Sequence, residues 1–288
     1  MDLLSQWGDL WVRRNATPDQ AALASVQNLL PATVVTGASA GLGLAFAARI
    51  AREGRAVVLL ARSWDRLAVV TAELQSKYPA ATVIAHDMDV AAHDAFEQIT
   101  QLLSVHQMYL DVLVNNAGIA LAGRFSDQTV QEIDELTATN VVALTRLTRL
   151  ALPAMRARAR GGIINLASIG SFTPGPWQAA YFASKAYVLA LTAAVSAECA
   201  GEGVRVCAIA FGPVDTKIHH EMSGEASYYR RLLPSSSPER MARVAWRSYR
   251  LGRRVVVPGL VNGLIAWTAR AMPFEILLPV VGWLMKPR

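Results

Sequence analysis

The stretch ATVVTGASAGLG, residues 32–43, decides how the rest of the chain is read. ATVVT (32–36) is a short β-branched run that ends at a glycine, as a strand buried on both faces does. The next segment, LGLAFAARIAREG, has helical spacing and a closing glycine. Between them Gly37, Gly41 and Gly43 follow the pattern G-x-x-x-G-x-G, with Leu42 inside it. Glycine allows a tight turn and lets backbone come close to a pyrophosphate, and the helix start offers unpaired N–H groups at a positive dipole end. A strand, a glycine turn and a helix in this order predict dinucleotide binding.

The same rhythm continues outward. RAVVLLA (55–61), ATVIAH, DVLVNN, GGIINLAS, VRVCAIA and RRVVVPG read as strands. Helical patterns lie between them: SWDRLAVVTAELQSKY with Ser63 as N-cap, AHDAFEQITQLLSVH, a long one over about 127–158 and another over about 177–200. Continuous apolar strands alternating with helices predict an α/β fold, a doubly wound parallel sheet with helices on both faces. Residues 1–30 read as an N-terminal extension, 31–259 as one Rossmann domain and 260–288 as an apolar helical segment packed on it. Residues 212–238 break the rhythm and read as a substrate lid.

Composition narrows the function. The chain has 288 residues, 53% hydrophobic and 17% charged, which suffices for a large core. The formal charge of +6 is dispersed, without finger or basic-heptad spacing, and predicts no nucleic-acid partner. Cys199 and Cys207 fit neither a metal site nor a disulfide framework, so no metal is expected and a reducing, cytoplasmic compartment is the simplest reading. The start, MDLLSQWGDL, lacks the pattern of a secretory signal.

The second strand ends LLARS. Ala61 stands where a ribose-binding carboxylate would be, and Arg62 follows. A guanidinium pairs with a 2′-phosphate, so NADP(H) is expected over NAD(H), with Ser39 as a second phosphate contact.

YFASK (181–185) sets Tyr181 and Lys185 four positions apart on a helical pattern, and Lys185 is one of only four lysines against twenty-four arginines. Together with TGASAGLG, NNAG (115–118), Asn140, Ser168 and FGPVDT (211–216), this series resembles the short-chain dehydrogenases/reductases over roughly residues 32–259. The end of the chain more loosely resembles members near a bacterial acyl-reductase-like branch. The resemblance implies a seven-stranded single-domain Rossmann fold and metal-free hydride transfer between NAD(P) and a carbonyl/alcohol pair. It implies Tyr181 as the general acid, and Lys185 as ribose ligand and as the cation that lowers the tyrosine pKa. It implies Ser168 as the hydrogen-bond partner of the substrate oxygen, and Asn140 as the holder of a water that links Lys185 to solvent. Asn115, Asn116, Ala117 and Gly118 would shape the sheet edge under the adenosine. Asp89 and Val90 would flank adenine, with Asp87 the rival acid of HDMDV. Gly212, Val214 and Thr216 would meet the nicotinamide end. Phe211–Gly212 departs from the family's Pro–Gly and brings an aromatic ring toward the nicotinamide.

Met222, Tyr228, Tyr229, Leu232 and Leu233 in the lid favour an apolar ketone or 3-oxoacyl-type substrate over a sugar. A non-catalytic NADP sensor and a membrane-surface lipid ketone reductase are the alternatives. The first would have no need of Asn140, Ser168, Tyr181 and Lys185 together. The long helices predict a homodimer or homotetramer. The stretch VVVPGLVNGLIAWTA is too short to span a bilayer, which takes ~20 apolar residues. Three readings of this apolar end stand, in order: packing over the cleft, a subunit interface, or an interfacial helix pair with Trp267 and Trp283 as anchors.

Overall fold

In the computed structural model, residues 12–216 and 235–286 are described. Among them seven strands form one parallel sheet in the order β3-β2-β1-β4-β5-β6-β7. The strands are β1 Leu30–Thr36, β2 Ala56–Ala61, β3 Val83–Asp87, β4 Met108–Asn115, β5 Gly161–Ser168, β6 Val204–Phe211 and β7 Val255–Val256. The chain winds outward from β1 to β3 and then restarts at β4 on the other side of β1. That reversal opens a crevice at the carboxyl ends of β1 and β4, where ligands bind in open α/β sheets.

Consecutive residues of each strand go to opposite faces, and both faces are covered. Val35, Leu59 and Ile164 meet α2 (Gly41–Ala51), α3 (Trp64–Lys77) and α8 (Pro238–Arg250), through Phe46, Ile50, Leu67 and Trp246. Val34, Val58 and Ile163 meet α4 (Ala95–Val105) and α6 (Leu144–Ala157), through Ile99, Leu147 and Met155. This double burial explains why the strands read as unbroken apolar runs. Full burial of each such side chain contributes roughly 1.5–3 kcal/mol.

The long helical pattern over 127–158 is three pieces. α5 (Val130–Thr137) starts in a Thr129–Glu132 capping box, a π-helical turn covers Ala138–Ala143, and α6 follows. α7 (Ala179–Glu198) is by length and composition apolar enough to cross a membrane, yet it lies against β5 and β6 with Val188 and Leu189 buried. It reads as a core helix.

The N-terminal segment is tied to the core. After α1 (Gln20–Ala24), β1 begins at Leu30, two residues before the run that announced it. Asn15 N–H donates to Gly201 O at 2.9 Å and Asp19 N–H to Ala157 O at 2.8 Å. At the other end two short helices, α9 (Leu260–Ala271) and α10 (Phe274–Met285), follow β7. Their Ala266, Ala269, Leu277 and Val281 close a third apolar cluster with Val188, Leu189 and Phe172.

Candidate active site at the carboxyl ends of the strands

The glycine turn is built against the end of β4. The Thr36 hydroxyl accepts from the N–H groups of Asn116 and Ala117, both at 3.0 Å, and donates to Val114 O at 3.3 Å. The Asn116 amide donates to Thr36 O at 2.8 Å and Gly37 O at 2.9 Å. Gly37 (φ +62°) and Gly41 (φ +56°) take the left-handed conformation that side chains resist. A Cβ on Gly43 would strike Gly37 O and stand 2.5 Å from the Asn116 amide nitrogen. Helix α2 therefore begins hard against the turn. Its N-cap is Ala40, which offers no side-chain acceptor, so the first-turn N–H groups face the crevice without a side-chain partner.

A cavity of about 740 Å³ runs across the strand ends. Gly37, Ser39, Gly41, Leu42, Arg62, Asp89, Val90, Asn116, Ala117 and Gly118 line one part. Ser168, Tyr181, Lys185, Gly212, Val214 and Thr216 line the other. Arg62 directly follows β2 and is exposed. The Asp89 carboxylate accepts from Ala91 N–H at 2.9 Å, which fixes the loop after β3. Its rival Asp87 is the last residue of β3 and does not line the cavity.

At the chemical end, β5 delivers Ser168 and α7 delivers Tyr181 and Lys185 one turn apart. Ser168 and Tyr181 line the same cavity, and the serine side chain favours the phenolate. The Ser168 hydroxyl accepts from Gly170 N–H at 3.1 Å, and the Ser168 N–H donates to the Ser171 hydroxyl. Ser171 in turn donates to Lys185 O at 2.7 Å, which ties the serine turn to the helix. The Lys185 ammonium donates to Leu166 O at 2.9 Å and stands 5.8 Å from the centre of the Tyr181 ring.

Asn140 lies in the π turn, fully buried. Its side chain donates to Ile119 O and accepts from Ile119 N–H, both at 2.8 Å, and donates to Ser184 at 3.1 Å. It joins the segment after β4 to α7. A Cβ on Gly118 would lie 3.3 Å from the Asn140 oxygen and 3.6 Å from the Lys185 nitrogen, so a larger residue there would crowd both.

One expectation needs correction. The lysine was expected to lower the tyrosine pKa. Burial instead pushes Tyr181 up to about 12, with only the Ser168 side chain pulling it down. Burial also lowers Lys185 to about 8. An ammonium that donates to Leu166 O, and not to the phenol, cannot offset the loss of water around the phenolate. Asn115 ends β4, and its side chain is buried in the sheet, donating to Asn165 at 2.8 Å and Thr148 at 3.2 Å.

Smaller differences have local causes. Ser63 occupies the N-cap of α3 but makes no capping bond, and it lines the cavity. Phe211 lines the cavity as the last residue of β6 and is buried in the sheet core. Gly212 is required by a close approach: a Cβ would stand 2.5 Å from the Asn262 amide nitrogen of α9. Met222, Tyr228, Tyr229, Leu232 and Leu233 lie outside the described residues. Four residues were not foreseen. Thr36 closes the turn, Ser171 anchors α7, and Arg66 and Met285 line the cavity. Arg66 was legible in principle, since it follows Arg62 by one helical turn. Met285 arrives from the chain end, and no local spacing announces it.

Comparison with known proteins agrees with this fold. The sequence profile described as short chain dehydrogenase matches residues 31–226. An uncharacterized oxidoreductase of Staphylococcus epidermidis is 34% identical over 183 residues, covering 64% of this chain and 77% of its own. Ketoacyl reductase HetN of Nostoc sp. is 35% identical over 181 residues, covering 63% of this chain and 62% of its own. Among solved structures, a short-chain dehydrogenase from Sphingobium yanoikuyae in complex with NADPH superposes with a TM-score of 0.72 at 29% identity. That match covers 87% of this chain and 96% of the other.

Proposed function

The chain belongs to the short-chain dehydrogenase family, and within it we propose an NADP(H)-dependent reductase of an apolar ketone or 3-oxoacyl-type carbonyl. One observation carries the reading. Ser168, Tyr181 and Lys185 share a single cavity with the glycine turn.

The residues present fit a nicotinamide dinucleotide. The close approaches at Gly37 and Gly43 leave bare backbone and a helix start for a pyrophosphate. Asp89 and Val90 would flank the adenine. Arg62, with Arg66 and Ser39 on the same lining, would hold the 2′-phosphate. When bound, the reduced nicotinamide supplies the hydride. The NADPH bound by the Sphingobium yanoikuyae protein supports this cofactor class.

The chain's own residues supply the proton and the orientation. With a pKa near 12, Tyr181 is protonated at neutral pH and gives its hydroxyl proton to the carbonyl oxygen as that oxygen becomes an alkoxide. The Ser168 hydroxyl, already beside the Tyr181 hydroxyl, donates to the same oxygen and orients it. Lys185, held by Leu166 O, presents its remaining N–H groups to the nicotinamide ribose and to a proton path past Asn140. Ile169, Phe182, Phe211 and Met285 make this part of the cavity apolar, which favours a hydrocarbon-bearing ketone. The 3-oxoacyl class draws on the name of the ketoacyl reductase relative.

The test is a panel of carbonyl compounds, 3-oxoacyl thioesters and bulky ketones among them, followed by loss of NADPH absorbance. Turnover of a 3-oxoacyl or apolar ketone, lost in Tyr181→Phe, is expected. Binding of NADPH with no turnover of any carbonyl would instead mark a sensor.

We also read the outer faces of α6 and α7 as a contact for a second copy. Leu150 and Tyr187 are exposed there.

A further inference from the structure

The helices α9 and α10 carry an apolar surface larger than their packing needs. Their inner residues, Ala266, Ala269, Leu277 and Val281, are buried. The two helices are fixed to the active-site side of the molecule. The Trp177 indole donates to Gly282 O at 3.1 Å, the Arg270 guanidinium sits 4.6 Å over the Phe172 ring, and Met285 lines the catalytic cavity.

Outside, Leu260, Val261, Leu264 and Trp267 form one stripe along α9. Phe274, Ile276, Leu278, Val280 and Trp283 surround most of α10. These are well exposed: Leu260 at 95%, Trp267 at 68% and Trp283 at 53%. Exposed apolar surface of this extent marks an interaction site.

Charge decides the occupant. The chain as a whole carries a formal net charge of +6. On α9, α10 and their ends Arg270 and Lys286 are exposed cations and Glu275 is an exposed acid. A two-fold contact with a second copy would set like net charge against like. An anionic surface accepts those cations and the apolar side chains together. Each helix has 12 residues, short of the ~20 needed to span a bilayer. Tryptophan, phenylalanine and branched aliphatics on short helices with basic neighbours suit the plane of the lipid headgroups.

We propose that α9 and α10 dock the protein on an anionic phospholipid bilayer, with the mouth of the catalytic cavity beside the lipid surface. The docking is a property of these two helices and is independent of what the active site reduces.

The test is flotation of the full chain with vesicles of phosphatidylcholine alone and of phosphatidylcholine with phosphatidylglycerol, read together with tryptophan emission. The protein is expected to float with the anionic vesicles, to shift its emission to the blue, and to be partly released by salt. The double variant Leu264→Glu/Val280→Glu changes only exposed positions. It should lose vesicle partitioning about tenfold or more while keeping the parent's melting temperature and NADPH affinity. Three results would overturn the proposal. One is a parent that stays unbound with both vesicles. Another is a variant that floats like the parent. The third is a variant that merely splits an oligomer into smaller species in sedimentation, with no change in vesicle binding, which would assign the face to a second copy.

Discussion

Lys185 donates its ammonium proton to Leu166 O at 2.9 Å and stands 5.8 Å from the ring of Tyr181, its neighbour one turn earlier. Both line one cavity, yet the lysine's hydrogen bond goes to the backbone and not to the phenol. On the proposed reading the tyrosine transfers the proton and the lysine is a buried cation for the ligand.

Tyr181→Phe should therefore lower kcat by about 10²-fold or more, the usual scale of general-acid catalysis, and leave NADPH affinity within a few-fold of the parent. Lys185→Met should damage turnover and NADPH affinity together. Steady-state rates and a fluorescence titration of NADPH check both. Tyr181→Phe activity close to the parent's would remove the acid role.

Lys185→Met should also leave the ligand-free protein at least as stable as the parent at neutral pH. Burial lowers Lys185 from 10.5 to about 8, so the folded state disfavours its charge. Below pH about 8 this penalty is fully present. As pH rises from the folded value toward the unfolded one, the unfolded chain holds the extra proton, and stability from this group rises. The advantage of the methionine variant should accordingly shrink above pH ~10. Melting temperatures of both proteins across neutral and alkaline pH read it out. Tyr181 has the opposite slope. Its pKa is raised to about 12, so its contribution to stability is lost as pH climbs from 10 toward that value. Carbonyl reduction, which needs the protonated phenol, should fall in the alkaline range, and alcohol oxidation should rise there.

Arg62→Ala should weaken NADPH about 10- to 100-fold and NADH little. A charge-assisted hydrogen bond is worth roughly 1.5–3 kcal/mol, at about 1.4 kcal/mol per decade. Arg66→Ala should have a smaller effect in the same direction, since it lines the same end. Ala61→Asp should move preference toward NADH by offering an acceptor to the 2′-hydroxyl and repelling the phosphate. The measurement is the ratio of Kd values for the two cofactors. A parent that binds both equally would end the NADP(H) assignment.

Gly43→Ala should destabilise the protein by about 1–3 kcal/mol and abolish tight cofactor binding. The added methyl would meet Gly37 O and the Asn116 amide, and the first of these is backbone that cannot swing aside. Denaturant unfolding and an NADPH titration test it. A variant with parental stability would show that α2 does not press on the turn.

The sequence by itself determined the order of elements and named most of the residues that line the cavity. Strand runs such as GGIINLAS are legible because parallel strands are buried on both faces, so apolar residues follow one another without alternation, Asn165 being a buried exception. The glycine turn and the Tyr181–Lys185 pair are legible because each is local, set by a tight turn or by one turn of helix.

What depended on distance in the chain was decided by the tertiary structure alone. The π turn at Asn140 became visible only with Ile119 and Ser184 around its side chain. Asn115 and Asn116 are adjacent in sequence, yet strand alternation sends one into the sheet and the other to the turn. The tyrosine pKa rose where a nearby cation suggested a fall, because desolvation depends on everything packed around the phenol and not on the residue four places along. Met285 reaches the cavity because α10 folds back over the strand ends, a placement that no local spacing encodes.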